Sequence, residues 1–323
     1  MAGERRLHVV TGKGGTGKST VAAALALGLA AEGRKVLLCE VEGRQGIAQL
    51  FDVPPLPYEE RQVAATDDGA VYALAIDAEA ALLEYLAMFY RLGRAGKALD
   101  RFGVIDFATT IAPGVRDVLL TGKVYEAVRR READDSYTYD AVVLDAPPTG
   151  RITRFLNVNE EVAGLAKVGP IRRQADSIMT MMRSRRTAVH LVTLLEEMPV
   201  QETMDAINEL TDAGLGVGHV VVNQVLPSPL SEAAAERIAS GALTAASVSR
   251  SLARVDVAVD PDAADGLLTE GREHVARQRL QAHQRAVLLE ADAPVVELPH
   301  LEGGVDLGGL YALGRRLVEG GVR

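Results

Sequence analysis

Cysteine is almost absent: Cys39 is the only one in the chain. An internal disulfide is therefore impossible, and a metal site built from several thiolates cannot form within one chain. Long apolar runs are missing too, since the longest alanine- and leucine-rich stretch, residues 21–31, is too short to span a bilayer. The first residues, MAGERRLHVVTG, put charge ahead of a short strand-like run, which is not the layout of a signal peptide. Positive charge is in deficit, with a formal net charge of −9, which argues against a general nucleic-acid surface. The expectation is a cytoplasmic protein that is not integral to a membrane and binds no nucleic acid. What is present is an ordinary globular composition, 48% hydrophobic and 24% charged over 323 residues, enough for one large α/β domain or two smaller ones.

Short apolar runs recur along this chain. Residues 6–11, 36–41 (VLLCEV), 71–76, 140–145 (DAVVLD), 188–194 (AVHLVTL), 218–223 (GHVVVN) and 294–298 (PVVEL) read as buried strands. Helix-length segments separate them, so a mostly parallel sheet flanked by helices on both faces is expected. Two stretches break the rhythm, 78–131 and 159–186, both helix-patterned and without strand signals. They predict an inserted helical subdomain made from two pieces of chain. The sheet domain then comprises 1–77, 132–158 and 187–323, with 131–139 as a surface connection.

Lysine is also scarce, and two of only six fall within VTGKGGTGKST, residues 10–20. Gly12, Gly17, Lys18 and Ser19 fit the phosphate-loop pattern of glycine, four residues, then Gly-Lys-Ser/Thr. Gly12, Gly14, Gly15 and Gly17 permit a tight bend around Lys13 and Thr16, turning backbone N–H groups toward a β-phosphate. A helix starting at Lys18, Ser19 and Thr20 adds its positive N-terminal end. Lys18 would reach the β- and γ-phosphates and the Ser19 hydroxyl would bind Mg²⁺, so the loop reads as an ATP site. The segment LDAPPTGR, residues 144–151, follows a strand and places Asp145 opposite that loop, where it can support the metal.

An ordinary phosphate loop needs no second lysine at Lys13. The form Lys-Gly-Gly-x-Gly-Lys-Ser/Thr resembles the deviant phosphate loop of a group of dimeric ATPases, among them the septum-site and chromosome-partition ATPases and the nitrogenase iron protein. That resemblance implies that Lys13 crosses to the partner subunit's nucleotide and stabilises transferring charge. Residues 144–151 further resemble the second switch of the arsenite-pump and tail-anchored-protein-targeting ATPases, Asp-Thr-Ala-Pro-Thr-Gly-His, with Arg151 in place of its histidine. Residues 112–115 (APGV) are similar to that family's helix-opening Pro-Gly-Ile. Residues 194–203 (LLEEMPVQET) are similar to its helix start after a strand, which puts Glu202 in the first turn. Asn223 matches its adenine-contacting asparagine, and Pro299 matches its base-packing loop. The likeness covers essentially the whole chain and implies a dimer, formed with itself or with a paralogue.

The first switch departs from that pattern. Where the family has Asp-Pro-Ala-His, this chain has Glu42-Gly43-Arg44-Gln45. Glu42 keeps the carboxylate that would orient the attacking water but is longer by one methylene. Two outcomes stay open: a slow or retuned ATPase, or a subunit that holds ATP and hardly hydrolyses it. Lacking cysteine pairs, the chain can build neither the family's arsenite site nor its shared zinc. Cys39 reads as a small core residue. The family's helical region implies hydrophobic client helices or a membrane partner, and an anion-pump motor is a further alternative. Residues 81–90 and the run Ile178, Met179, Met181 and Met182 either line a client groove or pack the protein's own core. Arg183, Arg185 and Arg186 read as a solvated face.

Overall fold

Six consecutive buried residues, LHVVTG, form β1 (Leu7–Gly12) and leave no polar side for solvent. A strand can be apolar on both sides only where helices cover both, and the rest of the chain supplies them. The computed structural model describes residues 5–90, 114–165 and 170–323. Among these, eight strands make one sheet in the order β3-β4-β2-β5-β1-β6-β7-β8. The others are β2 (Lys35–Glu40), β3 (Arg61–Ala65), β4 (Ala70–Ala75), β5 (Ala141–Asp145), β6 (Thr187–Thr193), β7 (Val217–Val225) and β8 (Val295–Pro299). All neighbours are parallel except β3 against β4. All seven anticipated strands are present. The additional β3 is a half-exposed edge strand, RQVAA, with no continuous apolar run to announce it.

Alternation along the strands divides the core in two. Val36, Leu38 and Val143 point to one face, where α1 (Lys18–Ala31), α2 (Gly46–Leu50) and α11 (Leu307–Glu319) cover them. Leu37, Cys39, Val142 and Leu144 point to the other, beneath α4 (Val115–Arg129), α5 (Thr149–Leu165), α6 (Pro170–Met182) and α7 (Glu197–Asp212). Helix α1 is buried at every position from Val21 to Ala30 because α11 packs over its outer side. Glycines set that contact: a Cβ at Gly28 would lie 2.5 Å from the Gly314 carbonyl oxygen, and one at Gly314 would lie 2.4 Å from that of Ala24.

Helix α3 (Ala78–Tyr90) and helix α4 begin and end the expected insertion, and Gly114, at φ 96°, stands just before α4. The break expected between 158 and 159 falls inside α5, which runs through it. Leu120, Val124, Ile178 and Met182 share one core cluster with the sheet residues above. Met179 is buried as well, so the core-packing alternative is what these side chains follow. Residues 112 and 113 of the helix-opening match lie outside the described residues. Between β7 and β8 the chain makes a further helical excursion, α8 (Glu232–Ala239), α9 (Ala245–Ala253) and α10 (Pro261–Leu289). Helix α9 buries none of its residues, and Val255 and Val257 just after it are exposed.

Candidate nucleotide site

β1 lies at the centre of the sheet, between β5 and β6, and ends at Gly12. In parallel α/β sheets the crevice beyond the strands' C-terminal ends, where chain connections diverge, is the usual ligand site. The loop from Gly12 to Gly17 occupies it and opens α1. At Gly12 a Cβ would stand 2.1 Å from the Val192 carbonyl oxygen, so only glycine lets β1 turn beside β6. Gly17 has φ 88° and caps α1, and a Cβ there would meet the Asn223 amide nitrogen at 2.4 Å. Gly14 and Gly15 are exposed at the loop's crown, with nothing within 4 Å of an added Cβ. The buried Thr16 closes the turn by donating its hydroxyl to the Lys13 carbonyl at 2.9 Å.

Lys18, Ser19 and Thr20 form the first turn of α1. Ser19 Oγ donates to Asp145 Oδ2 at 2.5 Å, across from the last residue of β5. Burial pushes the Asp145 carboxyl up to about 6, the Ser19 bond and Lys18 oppose that, and Glu40 and Glu42 add to it. Its second oxygen, Oδ1, is buried with no hydrogen-bond partner. A hydroxyl, a carboxylate with a spare oxygen and a glycine cradle are the hard-oxygen and N–H groups that Mg²⁺ and a phosphate chain require, so the residues fit both.

Lys13 is held within its own chain. Its Nζ donates to Glu202 Oε1 at 2.6 Å, while Thr149 Oγ1 donates to Glu202 Oε2 at 3.3 Å. Glu202 thus joins the loop to the first residue of α5. It lies in the second turn of α7, not the first, because that helix begins at Glu197. Thr11 adds a second tie, its hydroxyl donating to the Pro147 carbonyl at 2.6 Å. Glu42 lies 3.7 Å from Arg44 and is partly exposed. Gln45, at the family's histidine position, clamps a neighbouring loop: its amide donates to the Leu56 carbonyl at 3.1 Å and accepts from the Leu56 N–H at 2.7 Å.

Asn223 donates to the Thr16 carbonyl at 2.9 Å and so packs directly against the loop. It stands where the register with β8 shifts, and Pro299 follows at the exposed end of β8, in register with Val225. Sequence reasoning missed three contributors: Glu40, the contact role of Glu202, and the Thr149 hydroxyl. Glu40 had a signal, a charged residue inside an apolar strand run at a core-facing position. The Lys13–Glu202 pair had none, as the two are 189 positions apart. Cys39 is buried as expected, and burial pushes its thiol up, away from reactivity. Among the described residues no helix is long and apolar enough to cross a membrane.

Comparison with known proteins agrees with this geometry. ATPase BagA of Mycobacterium tuberculosis is 54% identical over 319 residues, covering 98% of this chain and 94% of that protein. ATPase get3 of Schizosaccharomyces pombe is 27% identical over 254 residues, 68% of this chain and 73% of the relative. The arsenical pump-driving ATPase of Escherichia coli is 25% identical over 245 residues, 71% of this chain and 41% of the relative. A family model for the anion-transporting ATPases matches residues 5–185 and 171–240. With the phosphate loop and its paired acid already in place on a parallel sheet, these matches lead to one statement: the chain belongs to the family of anion-transporting ATPases.

Proposed function

We propose that the chain binds Mg-ATP across residues 12–20 and hydrolyses it as a dimer, coupling nucleotide state to a helical client-binding region. The observation that carries this reading is the 2.5 Å Ser19–Asp145 contact at the mouth of the glycine cradle, with Asp145 Oδ1 left unpartnered. Backbone N–H groups of the loop would hold the β-phosphate and Lys18 the β- and γ-phosphates. The bound cation supplies charge neutralisation at the phosphate oxygens. Glu42 would orient the attacking water once released from Arg44. Asn223 retains donor and acceptor capacity beyond its Thr16 bond and, with Pro299, would meet adenine. Lys13 would exchange Glu202 for the nucleotide of the facing subunit. The ties of Thr11 to Pro147 and of Thr149 to Glu202 give the loop a mechanical route to α5.

A second reading has its own support. Glu42 pairs with Arg44, and Gln45 is committed to Leu56, so both side chains at these first-switch positions already have protein partners. On that reading the chain is the nucleotide-holding member of a heterodimer, and a paralogue hydrolyses. Phosphate release by the purified full chain, with its mass in solution determined with and without Mg-ATP, separates the two. Turnover that falls per chain on dilution supports the homodimeric ATPase. Tight ATP binding without turnover supports the second reading. No ATP binding, or binding untouched by Lys18→Ala, overturns both.

A further inference from the structure

Strand β2 ends in a residue that the nucleotide reading leaves without a task. Val36 and Leu38 point into the α1 core, while Leu37 and Cys39 point into the opposite one. The same alternation sends Glu40 to the α1 face. Glu40 stands in register with Asp145 on β5, and Asp145 shares the face of Ala141 and Val143, again the α1 side. Two carboxylates therefore lie side by side at the C-terminal ends of adjacent parallel strands, where α1 begins.

Both are buried, Glu40 at 3% exposure and Asp145 at 8%. Each commits one oxygen to a local donor. The Ile47 N–H donates to Glu40 Oε2 at 3.3 Å, and Ser19 Oγ donates to Asp145 Oδ2 at 2.5 Å. Each leaves its other oxygen, Glu40 Oε1 and Asp145 Oδ1, buried with no hydrogen-bond partner. Adjacent like charges with orphaned buried oxygens are unfavourable unless something positive answers them. An apolar residue would have served β2 as well as its neighbours do, so packing does not explain a glutamate here.

We propose that Glu40 is a second carboxylate of the cation site, holding with Asp145 the water shell of the divalent cation that Ser19 would ligate when nucleotide is bound. The proposal rests on the Mg-ATP reading and deepens it. Glu40 is a positioning residue that acts through the cation rather than on the phosphates. Two carboxylates and one hydroxyl are too few to hold Mg²⁺ without phosphate oxygens and waters. In keeping with that, among the described residues no group of three His, Cys, Asp or Glu side chains is arranged to bind a metal unaided. Cation and nucleotide should therefore bind together.

The test titrates MgCl2 into the full chain with a fixed amount of fluorescent N-methylanthraniloyl-ADP, with a parallel series in EDTA. Outer-shell partners of a metal usually contribute 10–100-fold to its affinity. Glu40→Gln is therefore expected to raise the Mg²⁺ midpoint by about tenfold. Nucleotide affinity in EDTA should stay level or rise, because a negative charge near the phosphates is gone. Glutamine keeps an acceptor for the Ile47 N–H, which favours folding. Should that variant not fold, Glu40→Asp withdraws the carboxylate by one methylene and should move the midpoint the same way. An unmoved midpoint in a folded variant overturns the proposal. If Asp145→Asn shifts the midpoint and Glu40→Gln does not, the role of Glu40 falls alone. If the wild-type chain binds no nucleotide with or without Mg²⁺, the phosphate-loop reading falls and takes this role with it.

Discussion

Lys13 and Glu202 form a partly exposed ion pair, each side chain about one-third accessible. Pairs of that kind contribute about 0.2–1 kcal/mol, little enough to be exchanged for a phosphate. The glutamate also receives the Thr149 hydroxyl on its other oxygen, so it links Lys13 to the start of α5. Glu202→Gln removes the competing charge, and it should raise turnover at low protein concentration up to about fivefold, the free-energy limit of such a pair. Lys13→Ala should bind ATP normally and lose about 10³-fold in turnover, the scale of a charge that stabilises phosphoryl transfer. Phosphate release measured alongside ATP affinity checks both. Unchanged turnover in Lys13→Ala would make Glu202 a purely structural partner.

Among elements, α1 is the one on which the site depends, since its first turn carries Lys18 and Ser19 and its remainder is enclosed between sheet and α11. The enclosure works because Gly28 and Gly314 let the two helix backbones meet. Gly314→Ala would place a methyl carbon 2.4 Å from the Ala24 carbonyl oxygen, a clash that only a shift of α11 relieves. Overpacking of this kind costs about 1–3 kcal/mol, and displacing α1 should weaken nucleotide binding too. Thermal melting and ATP affinity are the readouts. Full stability in Gly314→Ala would show that the helices can separate without cost. How much of this was legible follows from the same elements. Continuous apolar runs revealed the parallel strands, and glycine spacing revealed the loop, because both signals are local. The edge strand β3 carried no apolar run, and the Asp68-Gly69 turn signal that joins it to β4 went unread. The close approach at Gly314 lies nearly three hundred residues from its partner and has no sequence pattern of its own. The methionines of α6 were ambiguous by type alone, and only the sheet face met by Met182 and the partly buried Met181 assigns those two to the core.

At the scale of the molecule, the sheet's middle carries a ladder of histidines across three adjacent strands, His8 on β1, His190 on β6 and His219 on β7. The His219 N–H donates to His190 Nδ1 at 3.2 Å, which fixes the proton of neutral His190 on Nε2. That Nε2–H then donates to His8 Nδ1 at 3.1 Å, and the His8 and His190 rings stack with centroids 5.4 Å apart. Burial holds His8 down to about 3, pushes His190 well below its ordinary value and lowers His219. The folded chain therefore keeps the fully buried pair neutral where the unfolded chain, near 6.5, takes up protons. Above that value the ladder costs nothing. As pH falls below it the unfolded state binds more protons, and stability drops by about 1.4 kcal/mol per pH unit for each such histidine. Asp145 works in the opposite sense: its folded value is raised to about 6, so the folded state gains a proton first and recovers part of the loss between about 6 and 4. Denaturant unfolding from pH 7.5 down to 4.5 should show a steep fall beginning near 6.5, and His8→Phe should flatten it by about one proton. An identical slope in that variant would mean that His8 is protonated in the folded sheet, and the hydrogen-bond chain from His219 to His8 could not then stand as described.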